Sequence, residues 1–357
     1  MTTETTKIKG LLQTLSKIHS SLKIEEVLET SLREIVNLLG SEAGSIWEVD
    51  ERKGELFFRS IVGSAAPRLR GKKLKLGEGI AGTVAVTGKS LLIDNVESDV
   101  RWKREFDEES NFKTQNLLTF PLVTGGRAIG VIQLLNKPGG FRKEDLNLLS
   151  ILSAPISIAL ENAKLYTRIR KIFKETSLSL AMAIEKRDPY TGGHTKRVLT
   201  YSRAIGEMLK LDEEALEQLE LSAILHDIGK IGIPDAVLRK KEPLNDEERK
   251  IIERHPVIGA EIVMGVEGME RILEGIKYHH ERCDGSGYPD GLTCSEIPLF
   301  AKIIAIADVF DALTTQRPYK RALSAEEALQ YLKERKSRQF WGPGVDALEK
   351  ALNSQVL

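Results

Sequence analysis

The chain has 357 residues, with 52 Lys and Arg against 52 Asp and Glu. That length allows two domains with separate cores, and the balanced charge argues against a nucleic-acid polymer as partner, which needs a basic surplus or a basic face. The opening MTTETTKIKG is polar and does not read as a secretory leader, and no apolar run approaches the ~18 residues of a membrane span; a cytoplasmic protein without a membrane partner is expected.

Taken in order, the first element is a helix. From about Thr6 to Leu39, apolar residues at Leu22, Ile24, Val27, Leu28, Leu32, Ile35 and Leu38 keep a helical period, and Gly40 stands where a capping glycine would. AGSIWEVDERKGELFFRSIVG reads as two strands around a Lys-Gly turn. LKLGEGIAGTVAVTGKSLLIDNV reads as a glycine-rich turn, a short helix and a strand, and NLLTFPLVTGGRAIGVIQLLNK as a hairpin around Gly-Gly. RKEDLNLLSILSAPISIALENAKLY returns to helix, so this half is an α+β domain with an antiparallel sheet. The helix continues toward the second half. Leu149, Leu152, Ile156, Ala159, Ala163, Tyr166, Phe173, Leu180 and Ile184 keep alternating three- and four-residue steps, interrupted at Arg170 and Ser177. That seam predicts a coiled-coil homodimer, with a kink at Pro155. From TKRVLTYSRAIGEMLK to the end only helical patterns stand out, so the second domain is predicted to be all-α.

The chemistry is concentrated in that second domain. It holds five of the six histidines: His194, His226, His255, His279 and His280. In LSAILHDIGKIGIPD, His226 and Asp227 follow Ala223, Ile224 and Leu225 and so enter the core. An unpaired carboxylate there costs several kcal/mol, about, whereas a metal accepts both carboxylate and imidazole. Lys230 shares a helical face with His226 and suits an anion beside such a metal. Asp308 and Asp311 interrupt an apolar helix three residues apart and share a face, and Arg317 and Lys320 follow where they can meet phosphate. His255 precedes Pro256, which restricts it and breaks the helix. His279 and His280 are adjacent. If the helix ends at the pair, both rings can turn toward one centre. Seven candidate ligands on five segments exceed the needs of one metal, and the count points to two metals sharing a bridge. Cys283 and Cys294, eleven residues apart, make neither a disulfide framework nor a CxxC site, so reduced thiols are expected.

Two resemblances complete the reading. GEGIAGTVAVTGKSLLIDNV and PLV…GRAIGVIQLLNK resemble a GAF domain over about residues 10–165. Of the motif carried by cyclic-nucleotide-linked GAF domains, Asn136, Lys137, Phe141 and Asp145 fit, but Leu146 replaces the expected Glu. No cysteine is present for a thioether-linked bilin, and His19 is the single histidine in this half. The ligand is left as an unknown small molecule. LHDIGKIGIPD with HHERCDGSGYPDGL, supported by RDPYTGGHTKRV, HPVIG and IADVFDALTTQRPYK, resembles the HD-GYP family. The implied division is residues 1–158 for a GAF sensor and dimerisation domain, 159–178 for a helical linker and 179–357 for an HD-domain helical bundle.

The HD-GYP resemblance implies hydrolysis of cyclic di-GMP at a metal centre of iron or manganese, giving linear pGpG and, after a second cut, GMP. It places His194, His226, Asp227 and Asp308 on one metal and His255, His279 and His280 on the other, with Asp227 as the bridge. Lys230 matches the lysine on the scissile phosphate, and Asp188, Asp311, Arg317 and Lys320 match positions near the nucleotide. Members with three metals carry Glu where Tyr190 stands, so a dinuclear centre is expected. The alternatives are another cyclic dinucleotide such as cyclic GMP-AMP, a non-catalytic nucleotide-binding effector, or a di-iron oxygenase; Lys230 with Arg317 and Lys320 favours a phosphate substrate over the last.

Overall fold

The computed structural model describes residues 24–64, 66–69, 71–188, 192–316 and 321–354. The chain divides into two compact units between Ile169 and Arg170. In the first, α1 (Ile24–Leu39) lays one stripe against a sheet: Leu28, Leu32 and Ile35 are each no more than 1% exposed. Each such burial contributes roughly 1.5–3 kcal/mol. The helix stops at Gly40, whose φ of +66° ends it as the sequence implies.

The sheet is antiparallel in all its pairings. Its strands are β1 (Ala43–Asp50), β2 (Glu55–Val62), β3 (Lys73–Lys75), β4 (Leu91–Ile93), β5 (Leu117–Thr124) and β6 (Arg127–Leu135), in the order β3-β2-β1-β6-β5-β4. The predicted Lys-Gly and Gly-Gly turns close β1–β2 and β5–β6. The short helix α2 (Gly79–Thr87) packs on the face opposite α1, beside Trp47, Val49, Leu56 and Val131.

A 43-residue helix, α3 (Lys143–Glu185), runs out of this domain and continues through Pro155. Here the predicted seam needs correction. Leu149, Leu152, Ile156, Ala159 and Ala163 are all buried in the domain's own core, so they are unavailable to a partner helix. Farther along the same seam Tyr166, Phe173 and Leu180 are exposed, and a second exposed apolar row runs through Ile151, Ile158, Leu165, Ile169 and Ile172. The helix is apolar on two sides, and the core takes one of them. The same composition corrects a second expectation. One 18-residue window of α3, with mean hydropathy 1.3, is long and apolar enough to cross a membrane, although 44% of that window is buried inside the fold.

The second unit is helical, with only isolated bridges and no strand among its described residues. Its main elements are α4 (His194–Met208), α5 (Glu213–Leu225), α6 (His255–Val263), α7 (Glu270–Tyr278), α8 (Leu299–Thr314), α9 (Ala325–Glu334) and α10 (Gly342–Asn353). Ile303, Ile304, Ala307 and Phe310 of α8 fill the main core with Val198, Ile205, Leu219 and Leu348. A second cluster joins α5 to α7 through Ile224, Leu225, Ile272 and Ile276. Gly229 sets how closely the turn after α5 approaches α6. A Cβ there would lie 1.9 Å from the His255 carbonyl oxygen and 2.4 Å from the Gly259 nitrogen. Only glycine permits that crossing, which brings Asp227 beside His255.

Candidate metal centre

Each histidine of the second domain sits at or just past the end of a helix. His226 caps α5, whose start is held by the Asp212 side chain accepting from the Ala215 amide at 2.8 Å. A five-residue 3-10 turn, Ile228–Gly232, follows Asp227. His255 opens α6 with Pro256 in the first turn, where a missing N–H costs nothing. His279 caps α7 and His280 lies just beyond it, so the helix does end at the pair. Their ring centroids are 4.1 Å apart. His194 opens α4 after Gly193, and the Glu185 carboxylate accepts from the His194 and Thr195 amides at 3.0 and 3.1 Å. Asp308 and Asp311 come from the middle of α8.

These placements orient the rings. The Nδ1 atoms of His226, His255 and His279 donate to the carbonyls of Ala223, Ile252 and Ile276, each at 2.7 Å. His194 Nδ1 donates to Asp311 at 2.7 Å. With Nδ1 protonated, each neutral ring presents a bare Nε2 lone pair. His194 and His226 then face each other Nε2 to Nε2 at 3.2 Å, and His255 and His279 at 3.4 Å. Opposed lone pairs at such distances repel unless a positive charge lies between them. Two nitrogens bound to one ion at about 2.0–2.1 Å stand about this far apart. The donor set therefore fits metal ions.

The donors group as His194, His226 and Asp308; as His255, His279 and His280; and as His226, Asp227 and His279, each within 4.8 Å of one another. Asp227 stands between the first two groups. Its Oδ1 is 3.2 Å from His255 Nε2, while its Oδ2 is 3.5 Å from His226 Nε2 and 3.8 Å from His194 Nε2. Asp308 Oδ1 is 3.4 Å from His194 Nε2. Lys230 Nζ lies 2.8 Å from Asp227 and 3.3 Å from Asp188.

The electrostatics favour bare imidazoles and a cation. Burial pushes His226 down and His279 well down, and burial with the neighbouring His255 lowers His280 to about 3. His194 moves the other way: burial opposes its proton, but the Asp311 hydrogen bond and the Asp308 and Asp227 charges outweigh that and raise it. Carboxylates that favour a proton at this point also favour a metal. Burial would raise the Asp227 carboxyl, yet Lys230, His226 and His255 hold it well below the usual range. Lys230 is desolvated too, and Asp227 and Asp188 more than restore its proton.

The structure thus brings together His194, His226, Asp227, Lys230, His255, His279, His280, Asp308 and Asp188. One expectation changes. Asp311, taken as a residue near the nucleotide, is 1% exposed and lies behind His194. It accepts from His194 Nδ1 and is gripped by the Arg197 guanidinium. Arg317, Lys320 and Tyr190 lie outside the described residues.

Two features escaped the sequence reading. Glu281, 3% exposed, accepts from the amides of Asp290, Gly291 and Leu292 at 2.7, 3.0 and 2.9 Å. It folds the glycine-rich loop back on itself, and Tyr288 comes to rest 4.8 Å from the His280 ring. Gly287 makes this possible, because a Cβ there would lie 2.4 Å from the Arg282 nitrogen and 2.6 Å from the His280 carbonyl oxygen. A carboxylate next to the histidine pair, ahead of a loop with free amides, was the available signal. Cys283 and Cys294 are joined in a disulfide across the base of the same loop, with Cα atoms 3.9 Å apart, rather than standing as free thiols.

Comparison with known proteins agrees with this architecture. Residues 21–161 match the GAF domain and residues 179–343 match the HD domain. The chain carries a GAF domain followed by an HD domain, joined by the long helix α3. The cyclic di-GMP phosphodiesterase response regulator RpfG of Xanthomonas campestris is 40% identical over 243 residues, covering 64% of this chain and 64% of that protein. The 3'3'-cGAMP-specific phosphodiesterase 2 of Vibrio cholerae is 36% identical, covering 56% of this chain and 40% of its own length. The cyclic di-GMP phosphodiesterase of Thermotoga maritima is 40% identical, covering 50% and 49%. The chain thus spans between 40% and 64% of the length of these relatives.

Proposed function

We propose that the chain is a metal-dependent phosphodiesterase that opens cyclic di-GMP, under the control of its GAF domain. The observation that carries this is the facing of bare Nε2 atoms on either side of Asp227, with the Lys230 ammonium 2.8 Å from that carboxylate. His194, His226 and Asp308 would hold one ion, and His255, His279 and His280 the other, with Asp227 shared; iron is the expected metal and manganese the alternative. A bound metal pair lowers the pKa of water and supplies hydroxide at neutral pH. Asp227 and Asp188 keep Lys230 protonated and aim its charge at the phosphoryl oxygens, where negative charge grows. Asp311 holds His194 in the tautomer that leaves Nε2 bare.

Relatives named for cyclic di-GMP and for 3'3'-cGAMP both match, so cyclic GMP-AMP is the second reading. Metal-free protein reconstituted with Fe²⁺ or Mn²⁺ and given each dinucleotide separates them. Faster loss of cyclic di-GMP supports the first reading, and faster loss of cyclic GMP-AMP supports the second. No turnover of either with either ion sinks both.

The α3 face left exposed at Ile151, Ile158, Leu165, Ile169 and Ile172 supports a homodimer. Its steps of seven, seven, four and three residues are those of a heptad seam, and Asn162 falls on the same stripe, where a polar residue sets register. Sedimentation should show a dimer, and Leu165→Glu with Ile172→Glu should yield monomer. A wild-type monomer at micromolar concentration contradicts this.

A further inference from the structure

The end of α3 is tied to the metal centre. The second half of that helix belongs to the helical unit, where Leu178 and Ala181 pack with Ile224 and Leu225 of α5 and Lys174 pairs with Glu220 at 2.5 Å. Past Glu185 the chain keeps turning. The amides of Lys186, Arg187 and Asp188 donate to the carbonyls of Met182, Ile184 and Glu185 at 3.2, 2.9 and 3.0 Å. Glu185, Arg187 and Asp188 then reach members of the centre.

Glu185 reaches His194. Gly193, which precedes α4 at φ +76°, has no side chain with which to cap the helix. The Glu185 carboxylate takes that role from nine residues upstream. One oxygen accepts from the His194 amide at 3.0 Å, and the other from the Thr195 amide at 3.1 Å and the Thr195 hydroxyl at 2.7 Å. First-turn amides have no partner inside their helix, and the helix dipole favours a negative charge at that end. His194 thus has its backbone fixed by Glu185 and its ring by Asp311.

Arg187 reaches the 3-10 turn that carries Lys230. Such a turn leaves carbonyls unpaired at its end. The guanidinium donates to the carbonyls of Lys230, Ile231 and Ile233 at 3.3, 3.0 and 3.2 Å, and to the Asp235 carboxylate at 2.7 Å. A planar fork of five N–H donors can serve four acceptors placed in this way, which an ammonium with three cannot. Asp188 meets the Lys230 ammonium itself at 3.3 Å.

We propose that Glu185 and Arg187 are positioning residues of the centre: Glu185 sets where His194 stands, and Arg187 sets where Lys230 stands. Loss of the first loosens a metal ligand. Loss of the second loosens only the ammonium. The inference rests on the reading of the site as the metal centre of a phosphodiesterase.

Mn²⁺ titrated into the metal-free full chain, followed by electron paramagnetic resonance, tests Glu185 without any substrate. Wild type should give the exchange-coupled signal of a pair. In Glu185→Gln one oxygen becomes a donor facing donors, so one ion should bind about 10–100-fold more weakly. Across that range the signal of single Mn²⁺ should replace the coupled one. Thr195→Val, which takes the hydroxyl from the same carboxylate at nearly constant volume, should shift the same ion less far and serves if Glu185→Gln does not fold. Equal weakening of both ions, or of neither, overturns the role of Glu185. Arg187→Ala should keep the coupled signal while acetic anhydride labels Lys230 several times faster than in wild type, as read by mass spectrometry. Arg187→Lys should do the same to a smaller extent. Unchanged labelling, or loss of the coupled signal, overturns the role of Arg187. A wild type without the coupled signal sinks the metal reading and this inference with it. Both readouts are taken without substrate, so they fail separately from the phosphodiesterase reading, which turnover decides.

Discussion

The two domains each hold a concave site, and they treat polar atoms in opposite ways. Around the GAF cavity, side chains pair with one another and leave aromatic faces toward the space: Gln133 with Trp47, Asp107 with Thr114, Lys103 with Glu78. In the HD domain the helices aim lone pairs at one another, His194 at His226 and His255 at His279. The first arrangement is electrostatically complete as it stands. The second is repulsive without a cation and suits chemistry. The contrast locates function more sharply than volume does, because unsatisfied donor atoms in a buried setting are costly and persist where something binds them.

The contrast predicts a descending series of effects. The largest is expected for His226→Ala combined with Asp227→Ala, which removes a ligand from one group and the carboxylate between both. Metal content and turnover should vanish together, and retained activity contradicts the shared role of Asp227. Lys230→Ala should leave metal content intact while kcat falls by about 10²–10³, the usual cost of losing one group that stabilises transition-state charge. Equal loss of metal would instead make Lys230 a structural partner of Asp227. Asp311→Ala frees the His194 ring and should weaken metal binding by about 10–100-fold, with a smaller change in KM than in metal affinity. A rise in KM alone would restore Asp311 to the nucleotide.

The smallest effect concerns the glycine-rich loop. Glu281→Ala strands three amides, so hydrogen exchange at residues 284–293 should accelerate, with a stability loss of about 1–3 kcal/mol. Unchanged exchange would show that the Cys283–Cys294 link alone holds the loop. For the same reason the loop should stay closed when the disulfide is reduced.

What could be read from the sequence follows the range of the interactions. The hairpins were legible because Lys-Gly and Gly-Gly turns between β-rich runs are local signals. The grouping of the histidines was legible because five of the six fall in one helical half, and the HD-GYP resemblance ordered them. The first part of the α3 seam was misassigned because Leu149, Leu152 and Ile156 carry the same period whether a helix packs on its own domain or on a partner; Tyr166, Phe173 and Leu180 farther along it are exposed. Asp311 was misplaced because a three-residue step shares a face with Asp308 but also turns about 60° away from it, enough to put Asp311 behind His194. Glu281 was missed because its partners are backbone amides nine to eleven residues on, and no side-chain pattern marks them. The cysteine pairing was missed because a spacing of eleven residues does not specify a bond.

The central claim is a pair of metals on one set of helix ends. Metal-free protein titrated with Fe²⁺ without air, with bound metal per chain and cyclic di-GMP turnover measured on the same samples, tests it most directly. Activity should rise only as the second equivalent binds and level off at two per chain. Full turnover at one equivalent, or in metal-free protein, would contradict the account.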